Sequence, residues 1–158
     1  MPVSCKCLGV ALCLATLPVS ASAQAYYPPI SGRTFTSGSI DITVTGAFTM
    51  NATVAINKQA SFGDGEMTWL QFGIDAGAAP NALITYTTMG EVGIIVQQGL
   101  VKGVTGIGGN EKPWCTGKLD VKPKMLTGDY TCVGVPSHDK ATDKMGKVNI
   151  AVKFTAGS

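Results

Sequence analysis

The chain is short of most of what carries chemistry. It has one histidine, 10 carboxylates, 12 basic residues and a formal net charge of +2 over 158 residues. That balance gives no overall basicity to attract nucleic acid. Charged residues make up 14 % and aromatics 7 %, and beyond residue 23 no amphipathic helix of ordinary length is visible. No Cys/His cluster has metal-ligand spacing in that stretch. The lone His138 stands beside Asp139, a neighbour pair that can orient a base, but no serine or cysteine motif accompanies it. A solvated surface histidine is the reading it carries. Asp139 and Asp143 lack the multi-oxygen loop that calcium needs. Gly99, Gly103, Gly106, Gly108 and Gly109 fit neither the Rossmann nor the P-loop spacing. The sequon Asn51-Ala52-Thr53 falls mid-strand and reads as a chance match. No cofactor is expected.

What is present begins with residues 1–23, which have the form of a cleavable export signal. Lys6 gives a basic start, Leu8 to Leu17 is an uncharged apolar run, and Ala21-Ser22-Ala23 supplies the small-x-small cleavage pattern. The run is about half of the ~20 residues a membrane span needs, so no transmembrane segment is expected in the mature chain. Cys5, Cys7 and Cys13 leave with the signal. Cys115 and Cys132 remain, an even pair in an oxidising compartment, and are expected to form a disulfide. The expected location is secreted, extracellular or periplasmic. Removing 1–23 leaves 135 residues, enough for one domain with a real core. Residues 24–101 then carry a net −3 and 102–158 a net +4, a scatter that two solvated faces explain.

Residues 24–39 read as an extended lead, because Pro28-Pro29 favours polyproline geometry. Residues 40–158 read as a single β domain. From Ile40 the period is two: Ile40, Ile42, Val44, Phe48, Met50, Ala52, Val54 and Ile56 share one parity, with Asp, Thr and Asn between them. That predicts one buried and one wet face. The run is too long for one strand. A three-residue loop at Thr45-Gly46-Ala47 pairs Val44 with Phe48 and keeps the apolar face, with Gly46 at positive φ; the alternative is a single strand bent by a bulge at Gly46. A turn region over 57–66 precedes a strand over 67–74, with Leu70, Phe72 and Ile74 inward and Trp69 on the opposite face. Strands follow at 83–88, 92–97 and 100–104, then a loop at 106–112. A polar loop is expected over 136–146, and a last strand over 148–154. About eight short strands predict an all-β fold, an antiparallel sandwich or partly closed barrel with one disulfide.

The segment 114–133 is the most decodable. Placing Cys115 opposite Cys132 sets Gly117 against Tyr130, Leu119 against Gly128 and Val121 against Leu126. All of these lie on one face, and each glycine is covered by a large neighbour. Lys122-Pro123-Lys124-Met125 closes the hairpin. A bridge between sheets would satisfy the same pairing of cysteines, and both arrangements stay open.

Two features point to binding. Gly93 to Val101 has no charge and no proline. If it lies at an edge, Ile94, Ile95, Val96, Gln97 and Gln98 could pair with another copy and build an oligomer or fibre; if central, the segment is core. Trp69 and Trp114 could mark a surface for an apolar or carbohydrate ligand.

The stretch Phe35-Thr36-Ser37-Gly38-Ser39-Ile40-Asp41-Ile42, after a signal and a Pro-containing lead, resembles the start of small secreted bacterial proteins described as activators of alkane oxidation. The Cys115…Gly128…Cys132 arrangement is loosely similar to theirs. The resemblance covers about a third of the chain. It implies an exported, non-catalytic protein linked to growth on hydrocarbons and to the cell surface, and carries over no site residues. A weaker likeness is to mycobacterial surface lipoproteins of β-sandwich type, although Leu12 precedes Cys13 where a lipidation site needs a small residue. The reading that emerges is a secreted, non-enzymatic β-sandwich at the cell surface or in the extracellular matrix or a biofilm, binding an apolar or polymeric partner or itself. The alternative is a small secreted hydrolase using a carboxylate pair drawn from Asp64, Glu66 and Asp75. An outer-membrane barrel ranks last, because the chain ends Phe154-Thr155-Ala156-Gly157-Ser158 rather than on an aromatic residue.

Overall fold

Alternation of β-branched and polar residues dictates a chain of strands, and a computed structural model gives them. It describes residues 32–74, 79–88, 91–99, 101–107 (backbone only) and 114–158. The expected export signal, most of the lead, Asp75 and most of the expected loop 106–112 lie outside the described residues. The strands are β1 Ser37–Gly46, β2 Met50–Ala55, β3 Phe62–Asp64, β4 Met67–Phe72, β5 Asn81–Thr87, β6 Val92–Gln98, β7 Val101–Ile107, β8 Cys115–Lys122, β9 Met125–Asp139 and β10 Lys144–Gly157. Among the described residues no helix is long and apolar enough to cross a membrane.

The strands form two antiparallel layers, and the protein is an all-β sandwich rather than a closed barrel. One layer runs β2-β1-β10-β9-β8 and the other β7-β6-β5-β4, with the three-residue β3 at its margin. The long strand β9 joins them. It has β10 on one flank; on the other it pairs first with β8 (Val121↔Leu126 to Cys115↔Cys132) and then with β7 (Gly103↔Ser137 to Val101↔Asp139). On the far side an isolated bridge, Ile56↔Phe72, joins the segment just after β2 to β4.

The core is the sum of the inward parities. Ile40, Ile42 and Val44 of β1 meet Ile150, Val152 and Phe154 of β10 in register and are sealed from water. Leu70, Phe72, Ile84, Ile94 and Val96 supply the other layer. The Phe72 and Phe154 rings touch across the layers with centroids 6.1 Å apart. Gly128 lies against the Phe154 ring, which occupies the space a Cβ would need. Leu119 is its neighbour in register, but the residue that covers it is Phe154. Gly117 lies under Tyr130, as the hairpin pairing requires. The Cys115–Cys132 disulfide lies within that hairpin, with Cα atoms 3.9 Å apart. Val133 N–H donates to Trp114 C=O, so Cys115 and Cys132 occupy the adjoining non-hydrogen-bonded pair, where side chains approach most closely. The bridge between sheets is thereby excluded.

Elsewhere the chain departs from expectation in identifiable ways. The first hairpin pairs Val44 with Met50, not with Phe48. Its loop spans 45–49, and Gly46 has φ +116°. No single bent strand forms. The lead contributes structure: β1 begins at Ser37, Thr34 bridges Phe62, and Phe35 is fully buried. The turn region 57–66 contains β3, closed by Gly65-Glu66. Ile74 lies beyond the end of β4 and is exposed. Strand β7 extends through Ile107, so Gly106 is not in a loop. The largest departure is 136–146. It is not a polar loop but the end of β9 and the start of β10, joined by a turn over Lys140–Asp143. Opposite Asn149 the register slips by one, with Val148 on Val135 but Ile150 on Cys132. Gly134 takes φ +69° in this bulge, and its N–H donates to Asn149 Oδ1 at 3.0 Å. The bulge inverts the inward parity: Leu126, Gly128, Tyr130 and Cys132 are buried before it, Val135 and Ser137 after it.

Candidate binding face

A two-layer sandwich has two outer faces, and alternation leaves them to be filled independently. On the β2-β1-β10-β9-β8 layer the outward positions fall into rows. One row reads Asn51, Thr43, Ala151, Thr131, Thr116; the next reads Thr53, Asp41, Lys153, Asp129, Lys118. All are exposed. In the second row Thr53 donates to Asp41 Oδ1 at 2.6 Å and Lys153 Nζ lies 3.2 Å from Asp129 Oδ2. A shallow hollow of about 320 Å³ lies here, between Lys118, Asp120, Thr127, Asp129, Lys153 and Thr155. Gly128 and Phe154 also line it, so the hollow itself is mostly apolar and is framed by a lattice of charges and hydroxyls.

The other outer face is chemically different. Its outward positions on β4 are Met67, Trp69 and Gln71; on β5 they are Leu83, Thr85 and Thr87; on β6 they are Gly93, Ile95 and Gln97. None of these carries a formal charge, and all are half-buried; at the margin Asp64 of β3, exposed and in register with Met67, brings one carboxylate to the face, and Asn81, on the same parity at the start of β5, is buried. Gln71, Leu83 and Ile95 align in one row, and Phe62, Trp69, Thr85 and Gly93 in the next. Phe62 is 42 % exposed, and its ring packs on Trp69 with centroids 5.1 Å apart. Beneath the face, burial raises the pKa of Tyr86 above the usual phenol value, partly offset by the Thr68 hydroxyl and then by the Arg33 charge.

The residues singled out from sequence fall in different places. Trp69 is on the β4–β6 face. Trp114 is on the other layer at the start of β8, 45 % exposed, so the two tryptophans do not form one patch. Ile94 to Gln98 are in β6, which is hydrogen-bonded to β5 and β7 on its two sides. The segment is central, with Ile94 and Val96 in the core and Ile95 and Gln97 outward. Asp64 and Glu66 are exposed on either side of Gly65 at the β3–β4 turn. His138 Nε2 contacts Asp143 Oδ1 at 2.8 Å rather than Asp139. Asp139 instead accepts from the Thr142 hydroxyl and the Ala141 N–H, which hold its carboxyl below the usual range. Among the described residues, no group of three or more His, Cys, Asp or Glu is placed to hold a metal.

Sequence reasoning missed Phe62, because a three-residue strand carries no period. It also missed Leu83 and Ile95 as outward residues, although β5 and β6 alternate with Thr and Gln.

No family model, curated protein or solved structure matches this chain.

Proposed function

We propose that the protein is a secreted, non-enzymatic binding module of the cell surface or extracellular matrix, and that it takes an uncharged apolar or polymeric partner on the outer face of β4–β6. The observation that carries the reading is the array of Met67, Trp69, Leu83 and Ile95, free of charge and interleaved with Gln71, Thr85 and Gln97, beside the Phe62 ring. Aromatic and aliphatic side chains dehydrate cheaply against C–H surfaces, while amides and hydroxyls at the margin satisfy ligand polar groups. A charged polymer would find one carboxylate, Asp64 at the β3 margin, and no other charge at these β3–β6 positions. The disulfide suits an oxidising compartment. The resemblance to exported proteins linked to growth on hydrocarbons points to the same class of partner.

The test is retention on dispersed alkane droplets and on neutral insoluble polysaccharides, with and without 1 M salt. Retention is expected to survive salt, to fall at least about tenfold in Trp69→Ala, the loss of one aromatic anchor, and to be unchanged in Trp114→Ala. Wild-type protein that passes through every uncharged surface, or whose retention salt abolishes, removes the reading.

A further inference from the structure

The five-stranded layer ends at β8, and the described residues pair this strand with β9 alone. We propose that β8 is a homodimerisation edge. Two copies join antiparallel about Leu119, making one ten-stranded sheet. This does not rest on the binding face proposed above, which lies on the other layer.

Three observations converge on that register. The first is hydrogen-bond phase. Because Trp114 and Val133 form a hydrogen-bonded pair, Thr116, Lys118, Asp120 and Lys122 spend their backbone groups on β9. The N–H and C=O of Gly117, Leu119 and Val121 point off the edge. Antiparallel pairing of the strand with itself must therefore match odd residues with odd residues as hydrogen-bonded pairs.

The second is charge. Centring on Leu119 sets Lys118 opposite the partner's Asp120 and Asp120 opposite the partner's Lys118. Both fall at non-hydrogen-bonded pairs, where cross-strand side chains are closest. Asp120 already meets its own Lys122 at 2.9 Å, an exposed pair that leaves its second carboxylate oxygen to the partner's lysine. Centring two residues later also forms two ion pairs, Asp120 with the partner's Lys122 and the reverse, but it sets Lys118 against the partner's Lys124 and Leu119 against the partner's Pro123, which has no N–H to give, so like charge and proline disfavour it. Centring two residues earlier sets Lys118 against the partner's Thr116 and forms no ion pair.

The third is side-chain placement. Leu119 is on the inner face and Lys118 and Asp120 are exposed on the outer one, so the pairing matches apolar with apolar and charge with counter-charge. Lysines on an edge strand discourage pairing with unrelated strands. The alternation Lys-Leu-Asp makes the same edge complementary to its own copy, as an isologous twofold contact requires.

The experiment is sedimentation equilibrium on the purified chain, with zero-length carbodiimide cross-linking of an equal mixture of ¹⁴N- and ¹⁵N-labelled protein. The expected result is a dimer and a mixed-isotope cross-link between Lys118 and Asp120. Lys118→Asp sets like charges across both pairs and should weaken the dimer by about tenfold or more. Lys118→Asp combined with Asp120→Lys should restore it. Lys153→Asp, which also faces Asp129 but lies on central β10, should leave it unchanged. Val121→Pro, which removes an outward N–H, supplies a second way to break the contact. A chain that stays monomeric to ~0.5 mM, a dimer indifferent to Lys118→Asp, or a mixed cross-link map lacking Lys118–Asp120 overturns the proposal.

Discussion

The two outer faces of this sandwich arise from one rule, alternation, and differ in what fills the outward positions. On the β2-β1-β10-β9-β8 layer those positions hold threonine, asparagine, lysine and aspartate in the two middle rows, with Trp114, Met125 and Val133 exposed towards the ends of β8 and β9, so what separates the two faces is charge rather than exposed apolar area. On β4–β6 they hold tryptophan, methionine, leucine, isoleucine, glutamine and threonine with no charge. Inward positions are mostly aliphatic and aromatic in both layers, with Thr68 on β4 and Ser137 on β9 buried among them. The core therefore explains why the protein folds, but it does not distinguish the faces; only the outward parity does. A face whose outward parity costs solubility without adding to the core is where a functional explanation is needed.

The comparison holds only if both faces belong to one cooperative body, and the largest expected effect tests that. Phe154 touches Phe72 across the layers and packs on Gly128. Phe154→Ala should cost about 3–5 kcal/mol. It should shift the unfolding reported by Trp69 and by Trp114, each read in a variant lacking the other tryptophan, to the same lower denaturant midpoint. Two midpoints that separate would mean the layers are independent and the contrast between faces has no shared frame.

Next in size is the disulfide, which braces only the polar-faced layer. Replacing both Cys115 and Cys132 by alanine should cost ~3 kcal/mol through the unfolded state. Native-state amide exchange should rise in β8 before β4–β6, because the bridge ties β8 directly to β9, the strand of this chain that the described residues pair it with. Equal acceleration in β5 would show that the brace acts on both layers alike.

The layers also differed in how far they could be read from sequence. The register of the β8–β9 hairpin was legible from the cysteines and from Gly117 under Tyr130, while the choice between a bridge within the hairpin and one between sheets was not, and the ring that covers Gly128 is Phe154 of β10 rather than its opposite neighbour Leu119. The first hairpin was legible in parity but not in length: loops of three and of five residues both leave odd separations, so Val44 could face Phe48 or Met50 with the same buried face. The β9–β10 hairpin was hidden by its own geometry. The Gly134 bulge shifts the inward parity mid-strand, so a search for unbroken period two stops there. Pro136 then looks like a breaker. It is tolerated because it falls between the last β8 partner of β9 and the first β7 partner, where an absent N–H leaves no ladder bond undone. For the candidate face, Trp69 was legible as outward, but its partner Phe62 was not. The central position of Ile94 to Gln98 could not be decided either, since sheet order is set by long-range pairing that composition does not encode.

The smallest expected effect sharpens the contrast most. Lys153 and Asp129 form an exposed pair at 3.2 Å in the middle of the charged row. Exposed pairs contribute little, because water already solvates both charges and the side chains lose freedom in meeting. Lys153→Ala should therefore lower stability by under about 1 kcal/mol, and 1 M salt should erase the difference between variant and wild type by screening the pair. Stability losses well above that, or insensitive to salt, would mean the charged row is a structural support rather than a wet surface. The absence of charge on β4–β6 would then lose its contrast, since charge on the first face would be there to hold strands together. If the loss is small and screened, charge on the first face serves hydration and strand-partner selection, and its exclusion from the second face is the feature a ligand must explain.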